Sequence, residues 1–274
     1  MPELPEVETV AADLRPHLVG RIVVAADLRF PTIVRYPDPA RFEAEIVGCR
    51  VVGLRRRGKY ILHDLDSGAV LVVHLGMTGQ WRCVVAGAAE PPHLHLVLRL
   101  DDGRLLRYSD TRRFGRVLLG TESELVAVRA MPALGPEPIA AGLTAASLRR
   151  RLRGRRAPIK ALLLDQRLLA GVGNIYADEA LFQAGIRPDR PGGGLGLARA
   201  ERLRGALHEL LSTAIANRGS SVSDYRDAFG ETGRNQEVLN VYGRAGEPCV
   251  NCGRPLSKTV IGGRTTVFCR RCQR

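Results

Sequence analysis

The sequence predicts an α+β chain in more than one part: a helix-led, largely antiparallel β domain, then a helical segment, then a short β-hairpin at the C-terminal end. Three observations carry this. Between residues 21 and 119, short Val- and Leu-rich runs are punctuated by Gly, Asp and Pro, as strands and their turns are. After a segment with three prolines, 131–138, the apolar spacing becomes helical as far as Leu211. Four of the six cysteines fall in the last 26 residues. A chain of 274 residues has room for two domains that each bury a core without disulfides.

The elements follow in chain order. Val7, Val10, Ala11, Leu14 and Leu18 recur at helical spacing, and Gly20 is a natural stop, so a helix is expected over Glu6 to Val19. Val51 to Leu54, Val70 to His74 and His95 to Leu100 read as strands, with His93 and His95 on one strand face. Domain boundaries are expected at 1–130 for the β domain, 131–139 for a hinge, 140–240 for the helical domain and 241–274 for the hairpin. Helices are expected at Ala145 to Leu152, Ile159 to Leu164, Ile175 to Ala184 and Leu197 to Ala216. Leu168 to Asn174 is too glycine-rich for one. Gly171 and Gly173 bracket a turn that leaves Asn174 as a helix N-cap, beside backbone amides able to meet a phosphate. Asn217 to Gly233 is polar and aperiodic, a mobile loop of functional length.

Charge restricts the partners. The 41 Lys and Arg residues against 28 Asp and Glu give a formal net charge of +13, which points to a polyanion. Only three of the basic residues are lysines, Lys59, Lys160 and Lys258, so part of the charge reflects an arginine-rich composition. The run Arg149 to Arg156 is read as a solvated face. No window approaches 18 consecutive apolar residues and the N-terminus is acidic, so a soluble, cytoplasmic protein without membrane contact is expected.

Cys249-x2-Cys252 and Cys269-x2-Cys272 enclose 16 residues, a spacing by which two tight turns present four thiolates to one tetrahedral ion. With no export signal, one structural zinc is expected rather than disulfides. Between the pairs, two short β runs flank Gly262-Gly263. Arg254, Lys258, Arg264, Arg270, Arg271 and Arg274 accompany them without any carboxylate, a surface suited to phosphates. All four ligand positions are filled by Cys, which leaves no open position to activate water.

At the other end, a helix lead-in accounts for Pro5, Glu6 and Glu8 but not for Pro2 and Glu3. Removal of Met1 would expose the secondary amine of Pro2, with a pKa far below that of a lysine and so partly free near neutrality. Such an amine is a competent Schiff-base nucleophile, and Glu3 beside it can move protons.

Taken together, Pro2-Glu-Leu-Pro-Glu-Val-Glu-Thr9, His74-Leu-Gly-Met77, Arg112-Arg-Phe114-Gly, Gly171-Val-Gly-Asn174-Ile-Tyr-Ala-Asp-Glu-Ala-Leu181, Val241-Tyr-Gly-Arg244 and the cysteine pairs closely resemble the formamidopyrimidine-DNA glycosylases, in order along the whole chain. The resemblance implies an N-terminal β-sandwich with a flanking helix, a helix-two-turn-helix domain and a C-terminal zinc-finger hairpin. It also implies a monomer that binds double-stranded DNA carrying a damaged base in a cleft between domains. Pro2 and Glu3 would be catalytic, with Lys59 and Arg264. Lys59, His74, Asn174 and Arg264 would hold phosphates, and Lys59 would also lie near the reacting sugar. Met77, Arg112 and Phe114 would fill the space left by a flipped base, and Lys160 and Tyr242 would add DNA contacts.

The implied reaction is excision of oxidised purines such as 8-oxoguanine and formamidopyrimidines through a Schiff base on Pro2, followed by β,δ-elimination at the abasic site. Leu4 follows this branch rather than endonuclease VIII, which has Gly there. Thr78 and the loop 217–233 do not match residue by residue. Two alternatives stand beside this reading: a zinc-finger damage-binding protein without catalysis, which the presence of Pro2 and Glu3 opposes, and a glycosylase preferring oxidised pyrimidines. An RNA-binding role would call for aromatic stacking platforms, and only 5% of residues are aromatic.

Overall fold

The computed structural model describes residues 1–222 and 224–274; Ser223, within the stretch 217–233, lies outside the described residues. The chain separates into two compact units, residues 1–133 with 217–234, and residues 134–216 with 235–274.

The first unit opens with α1 (Leu4–Leu18). It starts two residues earlier than the apolar spacing suggests because Glu3 and Glu6 form a reciprocal capping box, each carboxylate accepting the other's backbone N–H. The unit continues through β1 (Val23–Leu28), β2 (Val34–Tyr36), α2 (Pro39–Ile46), β3 (Val51–Arg57), β4 (Tyr60–Leu65) and β5 (Val70–His74). Then come β6 (Gln80–Val84), β7 (Leu94–Leu100), β8 (Leu105–Ser109), β9 (Arg116–Gly120) and α3 (Glu122–Ala127). The strands form one sheet in the order β1-β7-β8-β6 and another in the order β2-β9-β5-β4-β3, all neighbours antiparallel except β2 and β9.

One apolar cluster takes Ile61, Leu71 and Val73 from the second sheet, Trp81, Leu96, Leu98 and Leu106 from the first, and Val7, Leu14 and Leu18 from α1. The sandwich and its flanking helix therefore share a core. His93 is not on a strand face: it precedes β7 with a φ of 56°, and only His95 lies on the strand. Imidazole burial is compensated by hydrogen bonds. Trp81 Nε1 donates to His63 Nε2 at 3.1 Å, which leaves His63 Nδ1–H to donate to Leu71 O at 3.0 Å.

The second unit comprises α4 (Ala145–Leu152), α5 (Ile159–Leu163), α6 (Asn174–Gln183), α7 (Leu197–Ala216) and the hairpin β10 (Ser257–Ile261) with β11 (Arg264–Phe268). Leu148, Leu163, Ala177, Leu181, Leu203 and Leu207 form the helical core. A second cluster seats Val267 and Leu256 of the hairpin region against Phe182 of α6. Among the described residues, no helix is long and apolar enough to cross a membrane.

Candidate active site and nucleic-acid interface

Pro2 is buried, and Glu3 is 2% exposed at the cap of α1. One turn on, Glu6 does more than cap. Its Oε2 accepts the Glu3 amide at 2.8 Å, while its Oε1 accepts the Ser220 amide at 2.7 Å and its carbonyl accepts the Tyr225 hydroxyl at 3.3 Å. Arg218 then donates to Asp13 of α1 at 2.7 Å and to Asp227 at 2.5 Å. The stretch 217–234, aperiodic in sequence, is thus held against the first helix beside the candidate nucleophile. Its only sequence signal was an acidic first turn, which helix-dipole reasoning already explained.

Lys59 occupies the two-residue turn between β3 and β4 and is 6% exposed. Arg56 ties that turn to α1, donating from Nε to Glu8 at 2.6 Å and from a terminal nitrogen to the Gly58 carbonyl at 3.1 Å. The short tether explains how a lysine far along the chain is brought to the N-terminal helix.

His74 ends β5, its ring 4.8 Å from that of Tyr60. Its Nδ1 accepts the Gly76 amide at 3.1 Å. Burial, with the charges of Lys59 and Arg116, holds its pKa down to about 4. The imidazole is therefore neutral, with the proton on Nε2, leaving that nitrogen as a donor.

Met77, half-buried, follows in the loop 75–79. Arg112 and Phe114 project from the loop between β8 and β9, where Phe114 is 53% exposed and the Arg112 guanidinium stacks 5.0 Å from its ring centroid. A large apolar ring held in water fits a wedge better than a core residue. Both loops need glycine, because a Cβ at Gly79 or Gly115 would overlap the hydroxyl of Tyr108.

In the second unit, Asn174 is the first residue of α6 rather than its cap, a position taken by Gly173. Asn174 Nδ2 donates to the Thr265 carbonyl at 3.2 Å, joining the helix start to the hairpin. Arg264 opens β11 immediately after the Gly262-Gly263 turn and is exposed. Gln166 holds the 171–173 turn in place by accepting the Gly171 amide and donating to the Val172 carbonyl, each at 2.8 Å.

Lys160 requires correction as a DNA contact. It is 0% exposed, and its ammonium reaches Asp178 at 2.7 Å, the Thr265 carbonyl at 2.8 Å and Thr266 Oγ1 at 2.8 Å. Burial raises the Asp178 carboxyl to about 6 even though Lys160 opposes the shift, so the pair stays ionic at neutral pH. Lys160 braces the hairpin that carries Arg264. Tyr242 is half-buried, and its backbone amide, with those of Asn240 and Val241, is gathered by the buried carboxylate of Glu179 at 2.8–2.9 Å.

Cys249, Cys252, Cys269 and Cys272 place their sulfurs within 4.8 Å of one another. Cys249 and Cys272 are 3.8 Å apart and Cys252 and Cys269 3.6 Å. Those separations are far too long for disulfides, which need about 2.05 Å, and match the roughly 3.8 Å edge of a tetrahedron with Zn–S bonds of about 2.3 Å. The donor set fits one structural zinc.

A cavity of about 780 Å³ lined by Arg149, Arg150, Arg153 and residues 193–197 contains none of these site residues. A duplex needs an exposed surface rather than an enclosed pocket.

Comparison with known proteins agrees along the chain. Residues 1–117 match the formamidopyrimidine-DNA glycosylase N-terminal domain, residues 134–226 its H2TH domain, and residues 246–274 the zinc finger found in FPG and IleRS. Proteins named formamidopyrimidine-DNA glycosylase from Chloroflexus aggregans and Moorella thermoacetica are each 48% identical, covering 100% and 94% of this chain and 98% and 94% of their own lengths. The crystal structure of the MutM (Fpg) protein from Thermus thermophilus superimposes with a TM-score of 0.89 at 43% identity, covering 99% of this chain and 98% of that one. A Lactococcus lactis Fpg in complex with a Fapy-dG containing DNA does so at 0.90 and 34%, covering 99% of both chains.

Proposed function

The chain belongs to the formamidopyrimidine-DNA glycosylase family, and from that premise we propose how its own residues carry out the family's reaction. It is a base-excision-repair DNA glycosylase with AP lyase activity that acts on oxidised purines in duplex DNA, and it carries one structural zinc. The residue roles that follow are our reading.

Pro2, once Met1 is removed, is the nucleophile. Its amine attacks the anomeric carbon of the flipped nucleotide, the damaged base departs, and an imine links protein and sugar. Glu3 moves the protons of ring opening and of the successive β- and δ-eliminations. Lys59 supports the sugar and its phosphate. The Nε2–H of His74, with Asn174 and Arg264, holds further phosphates, so that the backbone flanking one nucleotide is fixed while its base leaves the stack. Met77, Arg112 and Phe114 occupy the vacated space, with Arg112 able to hydrogen-bond the orphaned partner base. Tyr242 contributes a DNA contact from the second unit.

The observation that carries this reading is that Pro2 is buried and followed at once by buried Glu3, whose amide is held by Glu6, the same carboxylate that accepts the Ser220 amide. Borohydride should trap a protein–DNA adduct on an 8-oxoguanine or abasic duplex, mapping by mass spectrometry to the N-terminal proline. An adduct on Lys59, or one formed equally well with Met1 retained, would refute the assignment.

A further inference from the structure

We infer that Asp110 and Thr78 form a clip that fixes the two void-filling loops as a single wedge, making them positioning residues for base excision; this rests on the wedge role given above to Met77, Arg112 and Phe114. Asp110 is 1% exposed, directly after β8. Its Oδ1 accepts the Thr78 hydroxyl at 2.5 Å and the Arg112 amide at 3.2 Å, and its Oδ2 accepts the Gly115 amide at 2.8 Å. The Arg112 amide is shared with Thr78 Oγ1 at 3.1 Å. On the strand side, the Asp110 amide donates to the His93 carbonyl at 3.1 Å, and the Asp110 carbonyl lies 2.8 Å from His95 Nε2.

One carboxylate therefore fastens both ends of the loop that presents Arg112 and Phe114, and through Thr78 also fastens the residue next to Met77. A buried carboxylate persists only where donors satisfy it, so this geometry is strongly preferred. Phe114 and Arg112 are both exposed, with the Arg112 guanidinium over the Phe114 ring, so the loop backbone beneath them largely sets where their tips point. A wedge must enter the base stack at one place and all at once, and displacement by about 1 Å can cost on the order of a hundredfold in rate. The same bond turns the Thr78 hydroxyl inward to Asp110, so in this chain residue 78 serves the loop's geometry.

The test is a double-mutant cycle on the full-length, zinc-loaded protein, read as single-turnover excision of 8-oxoguanine. Thr78→Val removes the hydroxyl at nearly constant shape. It should slow excision on the order of tenfold with undamaged-duplex affinity unchanged and the thermal midpoint only modestly lowered, since Asp110 keeps the Arg112 and Gly115 amides, and Thr78→Ser should restore the rate. Phe114→Ala should slow excision as well, and the double variant should be slowed by clearly less than the product of the two single losses, since the clip acts through a wedge that Phe114 shares with Arg112 and Met77. Losses that multiply, a wild-type rate for Thr78→Val, or failure of serine to rescue would overturn the clip. Excision is read at a temperature where each variant is fully folded by its melting curve, so a lowered midpoint does not enter the rate comparison. A wild-type rate for Phe114→Ala would instead refute the wedge reading itself, and the clip with it, an outcome distinct from multiplying losses.

Discussion

Lys160 shows what residue-level inference gains from structure. In a chain whose basic residues are overwhelmingly arginine, a lysine within a basic protein invites a phosphate contact, yet this one is enclosed by Asp178, Thr265 and Thr266. The partners are what sequence could not supply: Asp178 lies on another helix and the threonines more than a hundred residues away, and no periodicity links them. Asp110 and Glu179 escaped notice for a related reason, since collecting backbone amides leaves no mark in composition. The cysteines were legible because their chemistry is local. The difference between charge that binds and charge that braces is measurable. Arg264→Ala should weaken binding to damaged and undamaged duplex alike and reduce the slope of log K against log salt by roughly one contact. Lys160→Met should instead leave Asp178 buried without its partner, costing about 3–5 kcal/mol of stability, while the salt slope of the protein that remains folded stays at its wild-type value. A slope reduced by Lys160→Met would return that residue to the DNA contacts.

At the scale of elements, the sequence reading held where a period was at stake. α4, α7 and β5 run as expected, and the Gly262-Gly263 turn divides the hairpin as its composition requires. It slipped at helix starts: the capping box moves the start of α1, and Gly173, which caps without any side chain, displaces Asn174 as the cap of α6. The aperiodic stretch 217–234 had no period to read, because Glu6, Asp13 and Asp227 order it through single bonds. The hairpin is the element with the least core of its own, packing Val267 and Leu256 beside the cysteines and Phe182. Metal binding should therefore supply much of its folding free energy. Zinc removal, or Cys249→Ser, is expected to lower duplex affinity through loss of the Arg264 surface, with stoichiometry of one zinc per chain by atomic absorption. Adduct chemistry at Pro2 should persist at saturating DNA, because the thiolates leave no open coordination position for catalysis. Full affinity after complete removal of zinc, or loss of trapping at saturation, would show otherwise.

Across the whole molecule, net charge and core chemistry make different demands on pH. The +13 charge only grows between pH 7 and 5, as histidines and the Asp178 carboxyl, held up to about 6, take up protons, so the polyanion-binding character persists there. Stability does not follow suit, because the first unit encloses a neutral imidazole. His63 is fully buried between Trp81 Nε1 and the Leu71 carbonyl, and burial pushes its pKa down to about 4 from an ordinary 6.5. Protonation would put a hydrogen on Nε2, facing the indole N–H, so the folded state refuses a proton that the unfolded chain accepts. The sign follows: stability is full above about pH 6.5, falls as the unfolded state takes up the proton, and levels off once the folded state titrates near 4. Over that window His63 accounts for about 3 kcal/mol at most, and His74, shifted in the same direction but half-buried, contributes less. The denaturant midpoint of the first unit should accordingly drop between pH 7 and pH 5 in a zinc-loaded sample, while Asp178 of the second unit, held up to about 6, shifts stability the opposite way. His63→Gln, which retains a group able to face Trp81 but does not titrate, should lower stability at pH 7 and flatten its pH dependence by nearly one proton. A variant whose stability still declines as steeply as the parent would place the proton uptake elsewhere.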